Sequence, residues 1–302
     1  MRAYLPHLKL QSAACLFGIS ALVGHLLTVP ADTIVMGRGA FALVTLSLIS
    51  VLMGRRPWGS VSRGTALSLV LIGMALAAHW VVFFLAVRYG GVAMATLGFA
   101  TFPAFTALAE SALQRTWPSR HDWLTLILVS AGLLLVTPSV DAGADALAGL
   151  GLGVLSGASY AGIALANRYL RTPVDGFTSC WWQYLGIVIC LLPFTWDVRG
   201  IGVQDWLLLC LLGTGCTALA YTLYVAALRD VKATIAAVVL ALEPVYAIAG
   251  AWLLFGSVPA LTMMLGGALI VAAVIAASVR SARPRPEPVN ATPSTSAADS
   301  QG

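Results

Sequence analysis

Charged residues in this chain come in small clusters separated by long stretches with almost none, and that spacing decides what the chain can fold into. Between the clusters lie ten mainly apolar runs, at 10–27, 33–53, 64–87, 91–113, 123–137, 147–169, 177–196, 206–228, 233–255 and 260–278. A helix needs about 20 such residues to cross the hydrocarbon core of a bilayer, and only the fifth run is short. Charged residues make up 10% of the 302, against about 25% in a soluble domain. The expected fold is an all-α integral membrane protein with ten transmembrane helices, and the lipid bilayer is its first partner. Little chain is left over for a soluble domain.

The first run follows Arg2 and Lys9, as a signal peptide would. No small-residue cleavage site follows it and nine further runs do, so it reads as an uncleaved helix. At the other end, 280–302 is rich in Pro, Ser, Ala and Thr and has no apolar period, which predicts a disordered tail. The sequon Asn290-Ala291-Thr292 falls in that tail, on the cytoplasmic side, where it would not be glycosylated.

A net charge of +5 does not point to nucleic acid here, because the placement of the cations matters more than their sum. Alternate loops put fourteen of the 17 Lys and Arg residues on one side and only Arg88 and Arg199 on the other, with Arg38 left inside a run. Cytoplasmic loops carry the excess of Lys and Arg, so both termini are expected in the cytoplasm. The five cysteines all lie within runs and show no metal-ligand spacing, which suits small apolar packing residues.

The chain also repeats itself. Pro103 and Pro244 are 141 positions apart, and at the same offset Leu67, Leu71, Ala77, Ala86, Arg88, Ala95, Ala100, Pro118 and Ala131 meet identical residues. Leu and Ala matches are cheap in an apolar chain; the prolines and the Arg88/Arg229 pair carry the weight. Two units, 10–137 and 147–278, then hold five helices each. An odd number of spans turns the second unit over relative to the first, giving two inverted five-helix repeats. Such repeats build transporters with a substrate site near the midplane.

Candidate substrate or coupling residues are the polar groups inside runs. Glu243 lies about 16 Å along its helix from Lys232, near the bilayer centre, where a carboxylate must face protein or water. Its neighbour Pro244 leaves the carbonyl of Leu240 without a helical partner. Both belong in a polar, protein-lined environment, either as a kink with an interhelical contact or as a substrate or proton-coupling site. Pro103 repeats the kink, but Phe102 stands where Glu243 does. Glu110, seven residues after Pro103, falls near a helix end or in a packing contact. Arg38 either pairs with Glu243 or snorkels to the outer interface.

In the third run, Trp80, Phe83, Phe84 and Val87 share a helical face, as an aromatic belt or helix packing would. His79 is the better pocket candidate. Trp80 and Phe83 correspond to Tyr221 and Tyr224 in the repeat, so both halves could wall one cavity suited to an amphipathic organic solute. Tyr160 and Gln183 could reach the interior, whereas Asn167 reads as an interface residue. Gly149, Gly153, Gly157 and Ala161 form a small-residue ladder for close helix packing, within one chain or in a homodimer. No nucleotide-binding loop, HExxH helix or nucleophile elbow is present, and the four histidines lie far apart. No catalytic group, metal site or cofactor is therefore expected, nor a nucleic-acid partner. A membrane-embedded enzyme on a lipid-linked substrate is the alternative to a transporter, and it would need clustered acid, base or metal residues at one interface.

The ten runs in two units, LEPVYAIAGAWLLFGS in the ninth run, its echo FPAFTALAESAL in the fourth, and MGRGAFALV around Arg38 resemble the EamA-type members of the drug/metabolite transporter superfamily. The resemblance covers about 10–278. It implies a bacterial inner-membrane carrier, often an exporter of amino acids, other metabolites or toxic compounds, with a central cavity between the repeats. Two positions depart from the family pattern: Ser257 stands where an acidic residue commonly follows the ninth helix, and Phe102 stands opposite Glu243.

Overall fold

The computed structural model describes residues 4–59, 61–136, 144–172, 174–194, 200–256 and 258–281, and among them every regular element is helical. Ser257 and most of the expected tail lie outside the described residues. The helices are α1 (Leu5–Leu26), α2 (Ala31–Leu52), α3 (Arg63–Phe99), α4 (Phe102–Leu113), α5 (Arg120–Val136), α6 (Ala144–Arg168), α7 (Gly176–Leu191), α8 (Val203–Gly213), α9 (Ala220–Ala227), α10 (Ala233–Leu240), α11 (Glu243–Phe255) and α12 (Leu261–Ser281). A π-helical turn, Thr214–Leu219, joins α8 to α9. Six spans are long and apolar enough to cross a bilayer outright, with shorter apolar helices beside them.

Twelve helices make ten spans because some spans are broken and one helix holds parts of two. The 37 residues of α3 would reach about 55 Å if straight. His79 and Phe99, twenty positions apart, would then be about 30 Å from one another, yet their rings lie 5.7 Å apart, as do those of Phe83 and Phe99. The helix therefore doubles back within itself, at the Gly90-Gly91 pair. Its first limb is the third span, and its second limb with α4 is the fourth. At the equivalent place in the second repeat, Leu228 to Lys232, the chain leaves the helix and forms an ordinary turn.

The two prolines sit at matching breaks. Between α3 and α4, Ala100 has φ −58° and ψ −12° and Thr101 has φ −73° and ψ −13°. Between α10 and α11, Ala241 has φ −62° and ψ −7° and Leu242 has φ −76° and ψ −12°. The hydrogen bonds match too. Ala100 N donates to Thr96 O and Thr101 N to Gly98 O; Ala241 N donates to Ala237 O and Leu242 N to Val239 O. Each proline is the second residue of the helix that follows, where its missing N–H costs nothing. The fold is thus two inverted five-helix repeats whose fourth spans break in the same way.

Glycines bring the repeats together. The first helix of each repeat places one against the break of the other: a Cβ on Gly18 would lie 2.9 Å from Glu243 O, and one on Gly157 would lie 3.1 Å from Phe99 O. Where the first limb of α3 crosses α7, a Cβ on Gly73 would overlap the carbonyl of Gln183, and one on Gly186 would overlap that of Val70. Gly132 of α5 and Gly266 of α12 meet in the same manner. The ladder Gly149, Gly153, Gly157 packs along the second limb of α3, against Gly90, Ala95, Gly98 and Phe99. It is occupied within the chain, so it offers no face to a second copy.

Candidate functional site

Arg38, on α2, is 9% exposed. Its Nε donates to Thr217 Oγ1 (3.1 Å), and its guanidinium lies 4.1 Å over the Trp80 ring of α3. Snorkelling to an interface is thereby excluded. The site depends on the π-turn: Thr217 Oγ1 donates to Leu212 O, five residues back, while Thr217 O accepts from Tyr184 OH at 2.8 Å. Single π-turns recur at functional sites because they free carbonyls and re-aim side chains. Among the described residues, the terminal nitrogens of Arg38 have no hydrogen-bond partner.

Glu243 opens α11 beside the α10–α11 break and is half-buried. Its carboxylate has no hydrogen bond or ion pair among the described residues; the salt bridge they do contain joins Arg55 to Asp175 at 3.8 Å. Arg38 and Glu243 are within electrostatic range of one another, yet no ion pair within 4.0 Å forms between them. Tyr160 of α6 is in range of the same carboxylate. One cation and one anion, from different repeats, are thus near enough to feel one another without forming an ion pair.

Around Tyr160 lies an aromatic cluster. Tyr160 packs on Phe102 (5.0 Å between centroids), His79 (4.9 Å) and Tyr224 (6.0 Å), and Phe99 stacks on Phe102. His79 is buried, its Nδ1 3.0 Å from the carbonyl oxygen of Ser156. The hydroxyls of Ser156 (3.0 Å) and Ser159 (3.2 Å) reach the same nitrogen, so one face of α6 holds the ring in place. His79 packs against Tyr160 and Phe99, whereas its neighbour Trp80 lies under the Arg38 guanidinium.

Gln183, Tyr221 and Asn167 form a closed triangle. Gln183 Nε2 donates to Asn167 Oδ1 (2.7 Å), Tyr221 OH donates to Gln183 Oε1 (2.9 Å), and Asn167 Nδ2 donates to Tyr221 OH (3.2 Å). Two expectations are corrected here. Asn167 is 2% exposed rather than interfacial, because depth along a helix does not reveal which way a residue faces. Tyr221 does not wall a cavity with Trp80; its hydroxyl is consumed in the triangle, while Trp80 stays half-buried under Arg38. Phe84 packs against the core, and Phe83 packs on Phe84 and Phe99 within α3. Pro103 and Pro244 keep their place at the breaks.

Thr217 and Phe99 were not singled out from the sequence, and Phe102 was noted only as the counterpart of Glu243. A π-turn leaves no periodic signature, and an apolar residue in an apolar run gives no signal. No group of three or more potential metal ligands occurs among the described residues.

The EamA-like transporter family matches the chain twice, over residues 7–137 and 147–279. The pseudopaline exporter CntI of Pseudomonas aeruginosa is 28% identical over 254 residues, covering 83% of this chain and 87% of its own length. The uncharacterized transporter YwfM of Bacillus subtilis is 27% identical over 226 residues, covering 71% and 73%. A solved crystal structure superimposes with a TM-score of 0.76 at 16% identity, over 91% of this chain and 97% of that one, a likeness of fold alone.

Proposed function

Because this chain belongs to the EamA-like transporter family, with both repeats matched, we propose that it is a secondary-active exporter of a small amphipathic solute. The candidates are amino acids and aromatic or drug-like metabolites. That it is a multi-pass membrane transporter follows from the family; the solute, direction and mechanism are our reading. The observation that carries it is the pair of facing charges. Arg38 offers free terminal N–H groups suited to a carboxylate, and Glu243 offers an unpaired carboxylate suited to an ammonium group. Trp80 and Tyr160 flank them with aromatic surface. The kinship with a pseudopaline exporter supports export as the direction.

Alternating access is supported by the inverted repeat and its matched breaks. The fourteen-to-two distribution of cations supports a bacterial inner-membrane location, with the arginine-rich end and both termini in the cytoplasm. ATP drive would require a separate subunit.

The test is an export and tolerance panel of amino acids and drugs, in cells carrying wild type, Glu243→Ala or empty vector. Wild type should raise external accumulation of one solute class, and Glu243→Ala should lower that rise about tenfold, equivalent to ~1.4 kcal/mol. If wild type never differs from empty vector, the export reading fails. Glu243 is also a candidate proton carrier, since it can accept a proton where no protein donor holds it. Glu243→Gln should then flatten the dependence of transport rate on external pH, and an unaltered profile would remove proton coupling from the scheme.

A further inference from the structure

The arginine-rich end is held closed around a single carboxylate. Glu110, near the C-terminus of α4, is 3% exposed. Its Oε1 accepts from Ala233 N (2.9 Å) and Tyr169 OH (3.2 Å); its Oε2 accepts from Thr234 N (2.9 Å) and Thr234 Oγ1 (2.8 Å). Tyr169 OH in turn accepts from Gln114 Nε2 at 2.8 Å. Ala233 and Thr234 are the first residues of α10, whose N-cap residue, Lys232, makes no side-chain cap. The first N–H groups of a helix need outside acceptors and favour a negative charge. A first-repeat side chain therefore supplies the cap that a second-repeat helix lacks.

Two features make this more than packing. At the repeat offset, Ala251 stands where Glu110 does, so the inverted counterpart of the clamp, at the opposite end, has no carboxylate to close it. Among the described residues, five buried polar atoms make no well-formed hydrogen bond: His7 Nδ1, Arg168 Nε, Thr222 Oγ1, Tyr224 OH and Arg229 Nε, with Thr222 only loosely placed against Cys180 and Tyr184, and Tyr224 against Tyr160. All five belong to segments leading to the arginine-rich end: the start of α1, the end of α6, α9 and the turn that follows it. Buried polar groups are seldom left unpaired. Water would satisfy these five once that end opens.

We infer that Glu110 is the latch of the arginine-rich gate: it holds α10 of the second repeat against α4 of the first, and its release opens that end to water. This rests on the transport reading for its purpose, but its test needs no solute. A failed latch leaves the export assay untouched, and a failed export assay leaves the latch measurable.

Native Cys180 is the probe. It is fully buried, one turn into α7 from the same end. Labelling with a membrane-impermeant maleimide is followed in vesicles exposing the arginine-rich face, and modified cysteines are located by peptide mass mapping. Glu110→Ala should raise the Cys180 labelling rate tenfold or more over wild type, with no rise at Cys210 toward the opposite end. Glu110→Gln keeps one acceptor oxygen and should give an intermediate rise; Thr234→Val, which loses one bond, should give a smaller one. An unchanged Cys180 rate in Glu110→Ala overturns the inference, as does an equal rise at Cys180 and Cys210, which would signify a loosened fold. Where Glu110→Ala does not accumulate, the Glu110→Gln rate decides by the same criteria.

Discussion

Arg38→Met is expected to reduce transport of the wild-type solute by about a hundredfold, equivalent to ~2.7 kcal/mol, while the protein still purifies as a folded species. The side chain is buried between Trp80 and Thr217, and its terminal nitrogens have no hydrogen-bond partner among the described residues. Its hydrogen bonds to the scaffold are therefore few, and under the reading proposed above its charge is free for the solute. Met fills a similar volume over the Trp80 ring and preserves the packing. What disappears is the cation opposite Glu243, which leaves a carboxylate in the membrane interior without a counter-charge. Arg38→Lys should restore only part of the rate, because an ammonium cannot both stack on Trp80 and keep a planar donor for Thr217. Uptake into proteoliposomes, read beside the melting temperature, separates the effects. Wild-type rates in both variants would remove Arg38 from the site, and loss of rate together with a collapsed melting temperature would make its role structural.

Gly73→Val is expected to abolish most of the folded protein. A Cβ there would coincide with the backbone carbonyl of Gln183, which no rotamer change can move. The cost should exceed the ~1–3 kcal/mol of ordinary overpacking, since α3 and α7 must separate along their crossing. The same shift would pull Gln183 out of its triangle with Asn167 and Tyr221, leaving buried amides unpaired. Gly151→Val is the control, because a Cβ at that glycine meets nothing within 4 Å. Fluorescence-detected size exclusion of detergent extracts should show a monodisperse peak for Gly151→Val and a near-complete loss for Gly73→Val. Equal peaks would mean that the crossing tolerates the side chain.

How much was legible from the sequence follows from the solvent. A bilayer demands that backbone polar groups be satisfied within each span, so run length and punctuation were enough to count ten spans. The prolines were enough to locate both breaks. Rotation about each helix axis was not legible, which is why Asn167 was read at the right depth and the wrong orientation. Glu110 was rightly set near a helix end or in a contact, but its partners lie more than fifty positions away. The π-turn that seats Arg38 has no sequence period to betray it.

The repeat comparison was informative in a second way, through its mismatches. At the same offset Arg38 faces Ser179, His79 faces Ala220, Gln183 faces Ala42, and Glu243 faces Phe102. The two units share their bends and close approaches, and differ where polar chemistry is placed. A search restricted to matching positions would have found the scaffold and passed over the site.

The reversal inside α3 has a mechanical consequence. The helix runs through it without a linker, which leaves the third and fourth spans of the first repeat little freedom to slide past one another. In the second repeat the same joint is a non-helical turn with slack of its own. The two halves, alike in outline, thus differ at this joint, and under the alternating-access reading proposed above the non-helical turn is the place for the bend.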